Sequence, residues 1–244
     1  MAAVRPRVAA IIPTLNEEDA IAAVIAAIPV GAVDRVIVVD SGSSDGTVAR
    51  ARRAGAEVIS EILRGYGRAC RAGAEAAVDC EILIFLDGDG ADCPELIPAL
   101  IAPVAKNRAD FVIGSRTRGL REPGSMSVHQ LLAGYAIGTA LGLLYGVRYT
   151  DMGPMRAIRR DLLLSFDMVE MTYGWNLEMQ MRAARAGLHV IELPVSHRNR
   201  VGGVSKVSGN LSGSLKASGR ILLTFMRIAF EAPHATRATA PVRR

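Results

Sequence analysis

The 244 residues include only three cysteines, Cys70, Cys80 and Cys93, with no paired CxxC spacing. That argues against a disulfide framework and a zinc site, and fits buried structural thiols in a reducing compartment. Aromatic residues make up 5% of the chain, with one tryptophan and no basic block interleaved with aromatics. The pattern weighs against a nucleic-acid surface. Long hydrophobic runs are also missing. The longest uncharged stretch, residues 131–147, carries four glycines and falls short of the ~20 apolar residues of a bilayer span. The apolar run at the start is broken by Pro13 and followed at once by acids, so it reads as no signal peptide. The expectation is a cytoplasmic protein. There is no internal repeat or low-complexity segment.

What is there is half hydrophobic by count and 22% charged, with 24 glycines and 11 prolines. This composition excludes a disordered, collagen-like or coiled-coil chain. A chain of this length removes roughly 70–75% of its unfolded surface from water, enough for a full core without staples. The formal charge of +5 comes largely from arginine. It suggests phosphate-bearing ligands.

From residue 7 to about 114, short β-branched runs alternate with alanine-rich segments, which predicts βα units around a parallel sheet. Strands are expected over residues 8–12, 35–39, 57–59, 82–86 and 111–113. A helix is expected over 17–28, with Glu17, Glu18 and Asp19 in its first turn, where acids favour the dipole. The turn SGSSDGT offers Ser44 or Asp45 as a cap for the next helix. A further helix runs over 67–78, and Pro94 opens another. After Arg116 the segment TRGLREPGSMS reads as a mobile loop. Helices follow at 131–147 and 175–186, an extended segment at 155–158, a strand at 190–194, and then a basic, glycine-rich loop, RNRVGGVSK. Residues 211–230 form an amphipathic helix with Leu211, Leu215, Leu222, Met226 and Ala229 on one face and Lys216, Arg220 and Arg227 on another.

In an open parallel sheet the ligand lies outside the carboxyl ends of the strands. The loops there carry Asn16, Glu17, Asp40, Asp87, Asp89, Ser115 and Arg116. In ILIFLDGDG two carboxylates one residue apart end a buried strand and can converge on a hard cation, Mg²⁺ or Mn²⁺. Ala91 and Asp92 stand where a calcium EF-hand loop needs an acid and a glycine, so that reading fails. An aspartyl phosphatase would need a further acidic pair downstream, which is missing. Gly42-Ser43-Ser44-Asp45-Gly46 fits the G-x-S-x-G of a hydrolase elbow, with His197 as a possible base, and that alternative stays open. Gly65-Tyr66-Gly67 is an incomplete dinucleotide fingerprint. His129, His189 and His234 show no partner pattern. Arg200 and Lys206 in the basic loop suit a diphosphate, Arg by bidentate contact and Lys as a point charge.

Taken together, IIPTLNEED, VIVVDSGSSDGT, RGYGRACRAG, FLDGDGAD, VIGSR, DMGPMRAIRR and RVGGVSK resemble the GT-A glycosyltransferases of family 2. The likeness is greatest to the dolichyl-phosphate mannose synthase and polyprenyl-phosphate glycosyltransferase branch. The resemblance implies a Rossmann-like, mixed but mostly parallel α/β sheet flanked by helices, with a transferase domain over residues 1–206 and a helix and tail over 207–244. By that similarity Pro13, Leu15, Glu17, Val38 and Asp40 hold the nucleoside, and Asp87, Gly88 and Asp89 the metal and diphosphate. Arg116, Arg200 and Lys206 grip phosphates, and Asp89, Arg200 and Lys206 carry the catalysis. The implied reaction is inverting transfer of a hexosyl group from a UDP- or GDP-sugar to a polyprenyl phosphate. The amphipathic helix over 211–230 leaves two placements open, peripheral on an anionic membrane with Lys216, Arg220 and Arg227 towards the headgroups, or docked on its own domain. A hydroxyl acceptor needs a base, for which Asp151 and Glu178 are candidates. A non-catalytic nucleotide-sugar-binding domain is the remaining alternative. Two residues depart from the family: Ser41 replaces the second of two adjacent acids, and Ala91 stands where lipid-phosphate mannosyl members often carry Gln.

Overall fold

The computed structural model describes residues 5–201 and 211–231. Five β-branched or apolar runs form parallel strands, β1 (Val8–Thr14), β2 (Arg35–Asp40), β3 (Glu57–Ser60), β4 (Ile82–Phe85) and β5 (Phe111–Ser115). Two more, β6 (Arg156–Arg159) and β7 (Val190–Pro194), complete a seven-stranded sheet in the order β3-β2-β1-β4-β6-β5-β7. Only β6 runs against its neighbours β4 and β5. The other six therefore present their carboxyl ends along one edge. The segment expected merely as extended at 155–158 is thus a central strand, inserted where simple alternation would have put β5 beside β4.

Side chains alternate across each strand, as the two-residue period requires. Ala9 and Ile11 of β1 and Leu83 and Phe85 of β4 face one core layer, while Ala10, Ile12, Ile82 and Ile84 face the other. Helices α1 (Ile21–Ala26), α2 (Thr47–Arg53) and α4 (Ile97–Ala105) cover the second layer. On the first lie α3 (Tyr66–Ala76), α5 (Val128–Tyr145), α6 (Arg160–Ser165), α7 (Trp175–Arg185) and α8 (Leu211–Phe230). Both faces of the sheet are covered, which is why β4 could afford to be apolar throughout.

Several local expectations are corrected. The first helix is shorter than 17–28, because the residues before Ile21 are held by the following loop. Glu17 N donates to Thr47 Oγ1 at 2.8 Å, and Glu18 Oε2 accepts from Gly46 N at 3.1 Å. The acids sit in the turn that leads into α1. The N-cap of α2 is Gly46 and neither Ser44 nor Asp45, although Asp45, one residue before it, accepts from Thr47 N at 3.0 Å. Pro94 opens a short 3₁₀ turn, Pro94–Leu96, ahead of α4. α5 starts three residues earlier than expected, at a capping box in which Ser127 Oγ accepts from Gln130 N and Ser127 N donates to Gln130 Oε1. It ends at Gly146, whose φ of 72° is the left-handed cap that glycine tolerates.

The loop after Arg116, expected to be mobile, is pinned. His197 N donates to the Leu120 carbonyl at 2.9 Å, and Glu122 N donates to the His197 carbonyl at 2.9 Å. Gly119 lies so close to Val195 that a Cβ there would overlap its carbonyl. All three cysteines are buried and free. Burial pushes the Cys70 thiol far above its ordinary range, as an inert core thiol requires. The expected boundary at 206 lies outside the described residues.

Candidate active site

The loops at the carboxyl edge are stitched to one another before any ligand is considered. Ser41 N donates to the Thr14 carbonyl at 2.9 Å, joining the ends of β1 and β2. Asn16, left-handed at φ 54°, receives Ser44 N on Oδ1 at 2.9 Å and donates its own N–H to Ser43 Oγ. Asp40, expected at the nucleoside, turns its carboxylate onto its own turn and accepts from Gly42 N and Ser43 N at 3.1 and 3.0 Å. Pro13 and Leu15 are half-buried beside it. Val38 is fully buried, its side chain filling the core beneath the loop instead of opening onto the cleft.

At the end of β4 three carboxylates crowd together. Asp87 N donates to Asp92 Oδ2 at 2.9 Å, and Ala91 N donates to Asp89 Oδ1 at 2.9 Å. Gly88 permits this, since a Cβ there would come within 2.7 Å of Thr14 Cγ2. Burial first, and then the charge of Asp89, pushes the Asp87 carboxyl up to about 7. Burial and Asp87 push Asp92 well above the carboxylate range. Asp87 Oδ1 is buried with no hydrogen-bond partner. A buried carboxylate oxygen without a donor, among neighbours of its own sign, fits a hard divalent cation. Asp92 was missed in the sequence; its only signal was a third acid five residues after the first.

The cations come from far along the chain. Residues 198–201 run down beside the Asp87–Asp92 turn, with Arg198 N donating to the Ala91 carbonyl at 2.8 Å and Val201 N to the Asp89 carbonyl at 3.0 Å. This brings Arg200 Nε to 3.4 Å from Asp89 Oδ2, and its Nη2 to 3.0 Å from Glu17 Oε1. Lys206 lies outside the described residues. Arg116 is engaged elsewhere: its backbone N, Nε and Nη2 all donate to Asp151, at 2.8, 2.7 and 2.8 Å. Its charge nevertheless acts on Asp87 and Asp92. His197 is buried against the same turn, with Nδ1 3.9 Å from Asp92 Oδ1. Burial and then Arg116 lower its pKa to about 4, so the ring is neutral near pH 7.

Residues 9–165 match the family described as glycosyl transferase family 2. The chain belongs to glycosyltransferase family 2. An uncharacterised glycosyltransferase of Mycobacterium tuberculosis is 41% identical over 212 residues, covering 86% of this chain and 94% of that one. The undecaprenyl-phosphate mannosyltransferase of Micrococcus luteus is 33% identical, over 85% of this chain and 90% of its own. Among solved structures, the glucosyl-3-phosphoglycerate synthase of Mycobacterium tuberculosis with Mn²⁺, UDP-glucose and phosphoglyceric acid superposes with a TM-score of 0.74. It shares 24% identity and spans 92% of this chain and 80% of that one, a likeness of GT-A fold.

In this family 2 glycosyltransferase the loops bring Asp87, Asp89 and Asp92 together with Arg200 at one point of the edge. The elbow-like Ser44 does not join a triad. Its Oγ lies 3.5 Å from Asn16 Oδ1, an amide oxygen that takes no proton, and His197 sits at the Asp92 turn, its Nδ1 buried without a hydrogen-bond partner. Neither base candidate is at liberty. Asp151 is consumed by Arg116 and by Met152 N. Glu178, wholly buried, accepts from Arg182 Nε at 2.9 Å and Glu170 N at 2.6 Å.

Proposed function

We propose that this glycosyltransferase moves a hexosyl group from a nucleotide-diphosphate sugar to a polyprenyl phosphate. The observation that carries this reading is the commitment of both Asp151 and Glu178 to arginines. A hydroxyl acceptor needs a base to take its proton, whereas a lipid phosphate is already anionic near neutral pH and needs none. The relative from Micrococcus luteus, named for an undecaprenyl phosphate, supports the same acceptor class.

On this reading Pro13, Leu15, Glu17 and Asp40 with its turn cradle the nucleoside, Val38 backing them from the core. Asp87 and Asp89 would hold Mg²⁺ or Mn²⁺, which when bound would supply positive charge to the leaving diphosphate. Arg200 exchanges Asp89 and Glu17 for the diphosphate oxygens, and Lys206 adds a second positive charge. Arg116 shapes the acceptor side through Asp151. The attacking phosphate oxygen needs only to be placed in line behind the anomeric carbon, which inverts the configuration there. The bilayer that carries the acceptor puts the chain on a membrane surface, on its cytoplasmic face.

Thermal melting with UDP, GDP, dTDP and their sugars, with Mn²⁺ and with chelator, tests the donor half. A metal-dependent rise for one nucleotide family names the base; no rise with any of them removes the reading. Labelled hexose from that donor is then offered to undecaprenyl phosphate in detergent. Label in the organic phase is the expected result, and label that stays only in water-soluble product overturns the acceptor.

A further inference from the structure

The Gly65-Tyr66-Gly67 turn, too incomplete for a dinucleotide fingerprint, has another use in the fold. It opens α3 and lies flush against residues 170–171. A Cβ on Gly65 would overlap the Met171 carbonyl, and one on Gly67 would come within 2.6 Å of the Glu170 carbonyl and 2.9 Å of Trp175 Cε3. Arg68 N donates to the Met171 carbonyl at 3.0 Å. Glycine on either side is what lets the backbone come so close. The segment it rests on is held in its turn. Glu170 N donates to Glu178 Oε2 at 2.6 Å, and the buried Glu170 carboxylate accepts from Thr172 N at 2.8 Å, from Thr224 Oγ1 of α8 at 2.9 Å and from Arg220 Nε at 3.0 Å. The backbone that carries Tyr66 is thereby fixed.

Tyr66 is half-buried, yet its hydroxyl oxygen is shut off from solvent and has no hydrogen-bond partner. The same holds for Asp87 Oδ1, just past the end of β4, and for Nε of Arg156, which pairs with Phe85 two residues before Asp87. Arg156 is wholly buried. Its Nη1 donates to the Asn176 carbonyl at 3.0 Å, its Nη2 donates to the Gly153 carbonyl, and its guanidinium lies 5.9 Å from the centre of the Phe111 ring. None of these partners is an acid. Buried polar atoms without partners are few in a folded chain, and three around one strand end call for a reason. The Tyr66 hydroxyl is near enough to Asp87 to favour the charged carboxylate against its burial. Burial first, and then the charge of Asp87, pushes the phenol well above its ordinary range, so it keeps its proton and meets the carboxylate as a donor.

We propose that Tyr66 is a positioning residue for Asp87, its hydroxyl donating to the carboxylate and turning it towards the divalent cation, with Arg156 as the buried positive charge behind the pair. A carboxylate oxygen has two acceptor directions, so Oδ1 can meet the hydroxyl and still leave the metal a lone pair. Groups that touch a ligand and not the metal fix the ligand's orientation, and their loss weakens metal binding by about ten- to a hundredfold. The other acids are placed differently, Asp89 by Ala91 N and Arg200 and Asp92 by Asp87 N, so each has its own support.

The role rests on the assignment of a metal to Asp87 and Asp89, and the experiment tells the two apart. Mn²⁺ is titrated by calorimetry into the full chain, alone and with UDP or GDP, beside Y66F and C70A. Cys70 is buried one turn along α3 with its thiol against the same hydroxyl, so C70A loosens the packing there and keeps the hydroxyl. Y66F is expected to bind Mn²⁺ about tenfold more weakly, and C70A to stay within about twofold of wild type. Excess Mn²⁺ should bring hexose transfer by Y66F back to within a few-fold of wild type, with KM for the acceptor unchanged. In chelator the two variants should melt within a few degrees of each other. Y66F that binds Mn²⁺ like wild type sinks the role of Tyr66 and leaves the metal assignment standing. C70A that loses as much affinity as Y66F, or Y66F alone melting far lower, reduces Tyr66 to packing and overturns the proposal. Wild type that takes up no Mn²⁺ with or without nucleotide removes the metal assignment, and the role of Tyr66 with it.

Discussion

Arg200 holds Asp89 and Glu17 at once, at 3.4 and 3.0 Å, across more than a hundred residues of sequence. In the ligand-free protein its guanidinium offsets the charge of the very carboxylate expected to bind a cation. Arg200→Ala should therefore have opposed effects. Binding of Mn²⁺ alone, followed by calorimetry, should tighten by roughly three- to tenfold, because a competing cation is gone. Affinity for the nucleotide diphosphate should fall. Loss of both would mean that Arg200 only props the turn.

Asp89→Asn should lower turnover on the order of a hundred- to a thousandfold, the scale of removing a charge-stabilising group at a leaving group. The melting temperature should not drop, since one carboxylate is removed from a crowded cluster. A fully active variant would end the metal assignment.

Asp87 should make the ligand-free protein less stable as pH rises. Its folded pKa of about 7 lies above the unfolded value, so the folded state holds the extra proton, and stability from this group is lost between about pH 4 and 7. Neutral His197 acts oppositely, its folded pKa of about 4 costing stability as pH falls below 6.5. Comparison with Asp87→Asn isolates the first effect. In chelator at pH 8 the variant should be the more stable, by on the order of a few kcal/mol, and the gap should close towards pH 5. Melting curves that stay parallel at all pH values would refute it.

The Arg116–Asp151 pair is partly to wholly buried, with side chains 14% and 4% exposed. Burial raises the Asp151 carboxyl, but the hydrogen bonds and charge of Arg116 outweigh it and hold the group below its usual range. Asp151→Ala should cost about 3–5 kcal/mol in urea unfolding by stranding the arginine, whereas the double change to R116M/D151L should cost much less. That stability is present above the unfolded pKa of the acid and is lost as pH falls through the folded one.

Glu178→Gln keeps a side chain able to accept from Val169 N and Glu170 N but loses the charge facing Arg182 and Arg227. It should destabilise the fold by about 1–3 kcal/mol while leaving kcat/KM on a lipid phosphate within a few-fold of wild type. A collapse of turnover in a stable variant would return Glu178 to the role of base.

The fold was legible because its signals are local. The near-continuous apolar runs of β1 and β4 follow from a sheet covered on both faces, and the short-range motifs at their ends marked its carboxyl edge. Other features had no local signal. The antiparallel placement of β6 depends on what a short extended segment finds beside it. The shortened α1 depends on Thr47 and Gly46 claiming Glu17 and Glu18. In α8 the apolar and basic positions were readable, but not which side faces the body.

The sequence by itself determined the α/β class and the transferase family, because backbone periodicity and short motifs are set by neighbours in the chain. Only the tertiary structure decided which charges meet. It gave Asp151 and Glu178 to arginines, Arg200 to Asp89, and Arg220 and Arg227 to buried glutamates, because a buried charge takes whatever partner the packing supplies across long sequence separations.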